Sequence, residues 1–278
     1  MDDIGGTKRP IAEVFTRAAE TYDSVGPKFF SHFGDRLVVK AKVTAGAQVL
    51  DVASGTGAVL LPAIRRVGSE GRVIGIDISE GMIKRLEQMV TTHSLAKASL
   101  CLMDAEHIGF HAASFDTLLC GFALDSFPNP NRATAEFLRV LRSGGRLALT
   151  ISSGWWWEGD DRWRWHGELL ESLGVDIRSE NRRFATRSQV ESYLEAANFV
   201  DVTVLQEQFE LAFADAEEWW RWAWSHGYRR VLESMDRKSL ERYEATCFEQ
   251  LQGRFPGGIL GKLEVLLAVA TKRNPGSS

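Results

Sequence analysis

The sequence predicts an α/β protein built on a mostly parallel sheet, with helices ahead of it and two helical insertions late in the chain. Three observations carry this expectation. Apolar runs at 48–52, 72–77, 100–103, 115–121 and 146–152 alternate with helix-patterned segments. Continuous apolar strands separated by helices imply a parallel sheet buried on both faces. The first run ends in a glycine-rich turn, Ala53 to Gly57. Finally, all nine tryptophans fall between Trp155 and Trp224, so the two halves of the chain differ in chemistry.

Taken in order, residues 10–45 read as helices, with Ile11, Val14, Phe15 and Ala18 at helical period. The strand 48–52 is followed by a helix over 58–67, a strand over 72–77 and a helix capped by Ser79 that runs to about His93. Strands at 100–103 and 115–121 precede a helix over 132–141, which Ser143, Gly144 and Gly145 should stop. A fifth strand covers 146–152. A Trp- and charge-rich insertion follows, then a helix (187–197), a strand (200–208), a helical insertion (about 215–252) and a last strand (263–271). This helix–strand–insertion–strand ending suits a seventh, antiparallel strand. Residues 274–278 read as a frayed tail. The implied organisation is a helical cap over 1–45 and a core over 46–153, 184–210 and 259–273. The insertions 154–183 and 211–258 form a Trp-rich lid.

The 278 residues suffice for one large α/β domain with a lid. A net charge of −4 argues against nucleic acid as the main partner, since no basic excess exists to neutralise phosphates. The start of the chain lacks the basic and apolar segments of a signal peptide, and the longest apolar run is too short to span a bilayer. Cys101, Cys120 and Cys247 are scattered, without metal-type spacing. The expectation is a cytoplasmic protein with no metal, no membrane and no nucleic-acid partner.

The clearest functional signal runs from Val49 to Val59. A strand ends and a helix begins across Asp51 to Gly57, and Gly55 and Gly57 let the backbone turn tightly against a ligand. Twenty residues after Gly57, Asp77 closes the second strand, where a carboxylate can accept hydrogen bonds from ribose hydroxyls. A dinucleotide-binding domain offers a similar pair. Here, however, Leu60 stands at the third fingerprint position, and a further acid, Asp104, follows the third strand.

With 73–82, 104–110 and 115–150, this segment resembles the class I S-adenosylmethionine-dependent methyltransferases, in the branch of the ubiquinone and menaquinone biosynthesis enzymes. Gly121-Phe-Ala-Leu-Asp-Ser-Phe-Pro-Asn-Pro130 is especially similar to that branch. The resemblance implies a Rossmann-like, seven-stranded sheet and S-adenosylmethionine as cofactor. Asp51 belongs to its acid and glycine set. It assigns Ala53, Ser54, Gly55 and Gly57 to the methionine part, Asp77 to the ribose, and Ile78 and Met82 to the adenine face. Asp104 and Ala105 fall to the adenine edge, and Cys120 and Gly121 to the floor. Ala53 departs from the glycine that many members carry. Tyr22 resembles part of the N-terminal helices that close over the site.

The acceptor should meet the insertions. If 219–230 forms one helix, residues at about 100° per step place Trp219, Trp222, Ala223, His226 and Arg230 on one face. Such a stripe suits an apolar ligand with one polar end, and equally suits a packed core. Trp157, Trp219, Trp222, Arg230 and Tyr22 are the candidate acceptor contacts, and His226 and His166 the candidate bases. Asp160 and Asp161 beside Arg162 and Arg164 read as a salt-bridged surface rather than a metal site. The pattern Trp-x-Trp-Ser-His-Gly-x-Arg is also similar, more loosely, to bacterial methyltransferases of specialised metabolism. The expected activity is methylation of oxygen, carbon or nitrogen on a small, largely apolar molecule. A non-methylating cyclase on the same scaffold and a Trp-rich binding protein are the alternatives, and an exposed aromatic lid is the surface that would pair copies in a homo-oligomer.

Overall fold

The computed structural model describes residues 8–92, 98–158, 160–175 and 183–274. Two helices, α1 (Lys8–Ala18) and α2 (Phe29–Lys40), precede the sheet. The chain then alternates through β1 (Gln48–Val52), α3 (Leu60–Val67), β2 (Arg72–Asp77), α4 (Glu80–Thr92), β3 (Ala98–Leu102), β4 (Phe115–Gly121), α5 (Pro130–Val140) and β5 (Leu141–Ser152). It continues with α6 (Arg164–Ser172), α7 (Arg187–Ala196), β6 (Phe199–Phe213), α8 (Ala216–Trp224), α9 (Arg229–Glu233), α10 (Arg237–Arg254) and β7 (Ile259–Lys272).

The seven strands form one sheet in the order β3-β2-β1-β4-β5-β7-β6. The pairs among β1 to β5 are parallel, and β7 runs antiparallel to both β5 and β6. This is the predicted mostly parallel sheet with its last strand reversed. The strand order turns back between β1 and β4, so a crevice opens at their carboxyl ends.

Local chemistry explains the element ends. The Met82 N–H donates to Ser79 Oγ at 3.2 Å and caps α4, which ends at Thr92; His93 lies outside the described residues. Pro130 opens α5 behind an Asn129 cap, two residues earlier than expected. That helix does not stop at the glycines. Leu141 is already extended (ψ 142°), and the segment Ser143 to Gly145 lies within β5. Thr186 and Gln189 form a reciprocal capping box on α7. β6 and β7 are longer than predicted. Their outer halves carry a period-two burial pattern, which a search for apolar runs misses.

The buried side chains pack as three clusters, two of them lining the two faces of the sheet. The third gathers the tryptophans of 156–165 and 219–222 with Phe29 and Phe33 of α2, Tyr243 and Cys247 of α10, and the outer ends of β6 and β7. Trp163 and Trp219 are fully buried there, and the Trp163 indole donates to the Leu260 carbonyl at 2.8 Å. Among the described residues no helix is long and apolar enough to cross a membrane.

Candidate active site

Two cavities open side by side at the carboxyl ends of β1, β2 and β4. The first, about 750 Å³ with its mouth, is lined by Ala53, Gly55, Asp77, Ile78, Met82, Asp104, Ala105 and Gly121, and roofed by Lys8, Ile11 and Phe15 of α1. Eight of the residues assigned to the cofactor therefore share one wall. Asp51, Ser54, Gly57 and Cys120 stand behind that wall rather than on it.

The loop after β1 is shaped by its backbone. Ala53 (φ 55°) adopts the left-handed conformation, which explains why glycine suits this position and shows that alanine is accommodated. Gly57 (φ 97°) packs so closely that a Cβ would lie 2.6 Å from Leu86 Cδ1. Around Gly55, by contrast, a Cβ would meet only Tyr22, at 3.8 Å. The cavity thus reaches the backbone there.

Asp77 is the organising acid. One carboxylate oxygen accepts the Gly55 N–H and the other the Ser79 N–H, both at 2.9 Å. Burial raises its pKa, and these two N–H groups oppose the rise. Beneath the loop, Asp51 is 1% exposed, and neither carboxylate oxygen has a hydrogen-bond partner. Burial pushes its pKa up to about 8; Asp77 adds to the rise, and the nearby Ser54 hydroxyl and Leu60 N–H oppose it. A buried acid without a partner favours a cation nearby. An amino-acid ammonium is such a cation, so the residues present fit the methionine end and ribose of S-adenosylmethionine.

Lys8 closes the far end. Its ammonium lies 2.7 Å from Asp104 and 2.6 Å from Glu106. Burial disfavours its charge, but these two partners outweigh burial and hold its pKa above the ordinary value. Asp104 also contacts His107 Nδ1 at 3.0 Å. No local pattern marks Lys8, because the contact spans 96 positions.

The second cavity, about 1040 Å³ with its mouth, is bounded mainly by rings: Phe29, Phe30, Phe122, Trp155, Trp156, Trp222 and Tyr228. Its polar groups include Tyr22, Asp125, His226 and Arg230. Residues 219–230 are not one helix. α8 ends at Trp224, and a turn through Ser225 to Tyr228 leads into α9. The face survives the break, since Trp219, Trp222, Ala223 and His226 are all buried. It divides, however, between two roles. Trp222, His226 and Arg230 line the cavity, whereas Trp219 packs in the tryptophan cluster away from it. Trp157 likewise stacks on Trp155 (4.7 Å, 11°) behind the lining.

The two histidines separate in the same way. His226 Nδ1 lies 2.8 Å from the Trp222 carbonyl. That contact assigns the proton to Nδ1 and leaves Nε2 as an acceptor. Burial lowers its pKa to about 4, so the ring is neutral at neutral pH. His166 is fully buried within the cluster, 2.6 Å from the Tyr243 hydroxyl, and burial takes its pKa to about 3. It does not line either cavity. Phe122, Asp125 and Tyr228 escaped the sequence reading. Phe122 directly follows Gly121 at the carboxyl end of β4 and Asp125 lies four residues beyond it, which is the signal that marks them. Asp160 pairs with Arg162 at 2.7 Å and Asp161 pairs with Arg164, as the salt-bridged surface requires.

A seven-stranded sheet with a glycine loop and a carboxylate at its switch point, beside a second ring-lined cavity, defines a group-transfer enzyme of the methyltransferase type. Residues 43–183 match the family model for the methyltransferase domain, and the chain belongs to that family. It is 32% identical over 260 residues to nocamycin O-methyltransferase of Saccharothrix syringae, covering 88% of this chain and 92% of that one. It is 40% identical over 143 residues to aklanonic acid methyltransferase of Streptomyces sp. strain C5; that match covers 51% of this chain and 65% of the relative, under two thirds of its length. In fold it is similar to the YcgJ protein of Bacillus subtilis (TM-score 0.60, 18% identity, 88% and 100% of the two chains).

Proposed function

We propose that this enzyme transfers the methyl group of S-adenosylmethionine to an oxygen atom of a small, largely apolar, ring-bearing metabolite. The observation that carries the reading is the adjacency of the two cavities, one walled by the Asp77 cradle and one by aromatic rings. The relative named as an O-methyltransferase, matched over nearly its full length, supports oxygen as the acceptor atom. The relative named for aklanonic acid supports a metabolite that carries an acidic oxygen.

Bound in the first cavity, S-adenosylmethionine supplies an electrophilic methyl group. The chain's residues do the rest. Asp77 accepts from the ribose, Asp51 offsets the ammonium through the loop Ala53 to Gly57, and Ile78 and Met82 pack on the adenine. Lys8 holds Asp104 at its edge, and Gly121 closes the floor with Cys120 buried behind it. In the second cavity the rings exclude water and bury the flat faces of the acceptor. His226 Nε2 and Arg230 orient its polar end. Asp125 is the carboxylate placed to take a hydroxyl proton when the acceptor is not already ionised. His166 acts on the packing of the lid, not on the acceptor. The division into a cap (1–45), a core and a Trp-rich lid is part of the same reading.

The test is incubation of the protein with S-adenosylmethionine and a library of aromatic acids and phenols, read by mass. A gain of one methylene on an oxygen, matched mole for mole by S-adenosylhomocysteine, is expected. Turnover without S-adenosylhomocysteine contradicts the proposal and favours a cyclase. Transfer to carbon or nitrogen alone contradicts the choice of oxygen.

A further inference from the structure

Resting on that reading of the two cavities, we infer that Phe122 is the specificity-determining partition between them. Its ring holds an acceptor out of the cofactor cavity and limits how far a bulky group can approach.

Ile11, Phe15, Tyr22, Phe122 and Ser126 line both cavities and so form the wall they share. The rings of this wall are linked through Phe30, which lines the second cavity alone. Phe15 meets Tyr22 edge-on (6.3 Å), Tyr22 stacks on Phe30 (4.8 Å, 25°), and Phe30 meets Phe122 almost at right angles (5.4 Å, 88°).

Within that wall Phe122 stands apart, because its backbone is left-handed (φ 54°). For a bulky residue this conformation is a genuine outlier, and glycine would adopt it without strain. The surroundings over-determine it. The Phe122 N–H donates to the Thr150 carbonyl (2.9 Å) and lies 3.2 Å from the Thr150 hydroxyl, on a residue that is itself buried in β5. Three rings of α2 grip the side chain: Phe29 (5.5 Å, 87°), Phe30 and Phe33 (5.7 Å, 72°). Phe122 nevertheless remains half-buried and lines both cavities. Strain that glycine would relieve, held by two hydrogen bonds and three rings at the junction of two cavities, is strain retained for the ring's position. Ala53 shares the left-handed backbone (φ 55°) just past the neighbouring strand, but of the two cavities it lines only that of the cofactor.

Phe122→Gly removes the ring while suiting the backbone, so its fold is expected to survive; Phe122→Leu serves as a second variant should it not. S-adenosylhomocysteine is titrated by calorimetry into each protein, with and without saturating 2-naphthoate, a planar apolar acid. In the parent protein the two ligands are expected to bind together, with affinity for S-adenosylhomocysteine changed less than twofold. In Phe122→Gly, 2-naphthoate should enter the cofactor cavity and weaken S-adenosylhomocysteine at least tenfold, with Phe122→Leu between. Competition already present in the parent, or none in Phe122→Gly, overturns the partition. If the parent binds S-adenosylhomocysteine but not 2-naphthoate, the ring-bearing acceptor is refuted instead. The partition is then judged by S-adenosylhomocysteine release, expected to be at least tenfold faster in Phe122→Gly and unchanged if the inference is wrong. A parent that binds neither ligand refutes the cofactor reading and the partition with it.

Discussion

Asp51→Asn should remove one pH-dependent weakness of the ligand-free protein while leaving its other titrations in place. The native acid is buried without a hydrogen-bond partner and holds its proton up to about pH 8, whereas in the unfolded chain it ionises near 3.8. Between those values the folded state binds one more proton than the unfolded state. Stability contributed by this group therefore falls as pH rises, with a limiting slope of about 1.4 kcal/mol per pH unit. His166 and His226 act oppositely below about pH 6.5, because burial keeps them neutral in the folded state, with pKa values of about 3 and about 4. The raw profile of the parent is thus a sum of opposed slopes, and the difference between parent and variant isolates Asp51. From pH 5 to 7 that difference should grow in favour of Asp51→Asn by up to about 3 kcal/mol. Urea unfolding followed by tryptophan fluorescence measures it. Parallel profiles across this range refute the burial argument. The same reasoning predicts that S-adenosylhomocysteine, whose ammonium favours the ionised acid, releases up to one proton on binding at pH 7. Calorimetry in two buffers of different ionisation enthalpy reads that release.

Gly57→Ala should destabilise the protein by about 2–5 kcal/mol, combining backbone strain with overpacking. Its new methyl group meets Leu86 at 2.6 Å, where φ is 97°. Thermal unfolding checks this, and a loss below about 0.5 kcal/mol would show that the loop relaxes freely. His166→Asn should flatten the acid side of the stability profile. The folded imidazole, at about 3, takes up its proton well below the unfolded one, so stability is lost as pH falls below about 6.5. Urea midpoints between pH 4 and 6.5 should differ less in the variant than in the parent; identical slopes contradict the assignment.

Much of the core was legible because a buried parallel strand writes itself as an apolar run. β1, β2 and β4 fall where those runs lie, and the acids that end β1 and β2 mark the crevice. The segments beyond β5 were less legible for three reasons. β6 continues to Phe213 through alternating polar residues, so hydrophobicity alone ends it too soon. Gly227 lies in a turn that breaks the predicted helix, although the turn preserves the direction of its buried face. The same stripe then serves both a cavity and a core: Trp222 and Trp219 are three residues apart and one turn of helix separates their roles. Periodicity tells which side is buried, but not what it is buried against. Lys8 with Asp104 and Phe122 with Thr150 depend on contacts between distant segments, which no local pattern records.

The central claim is that the Asp77 cradle holds S-adenosylmethionine, and calorimetric titration of the parent protein beside Asp77→Ala tests it most directly. Micromolar binding to the parent, weakened at least tenfold in a folded variant, is the predicted result. Equal affinity in both proteins would place the cofactor elsewhere and contradict the account.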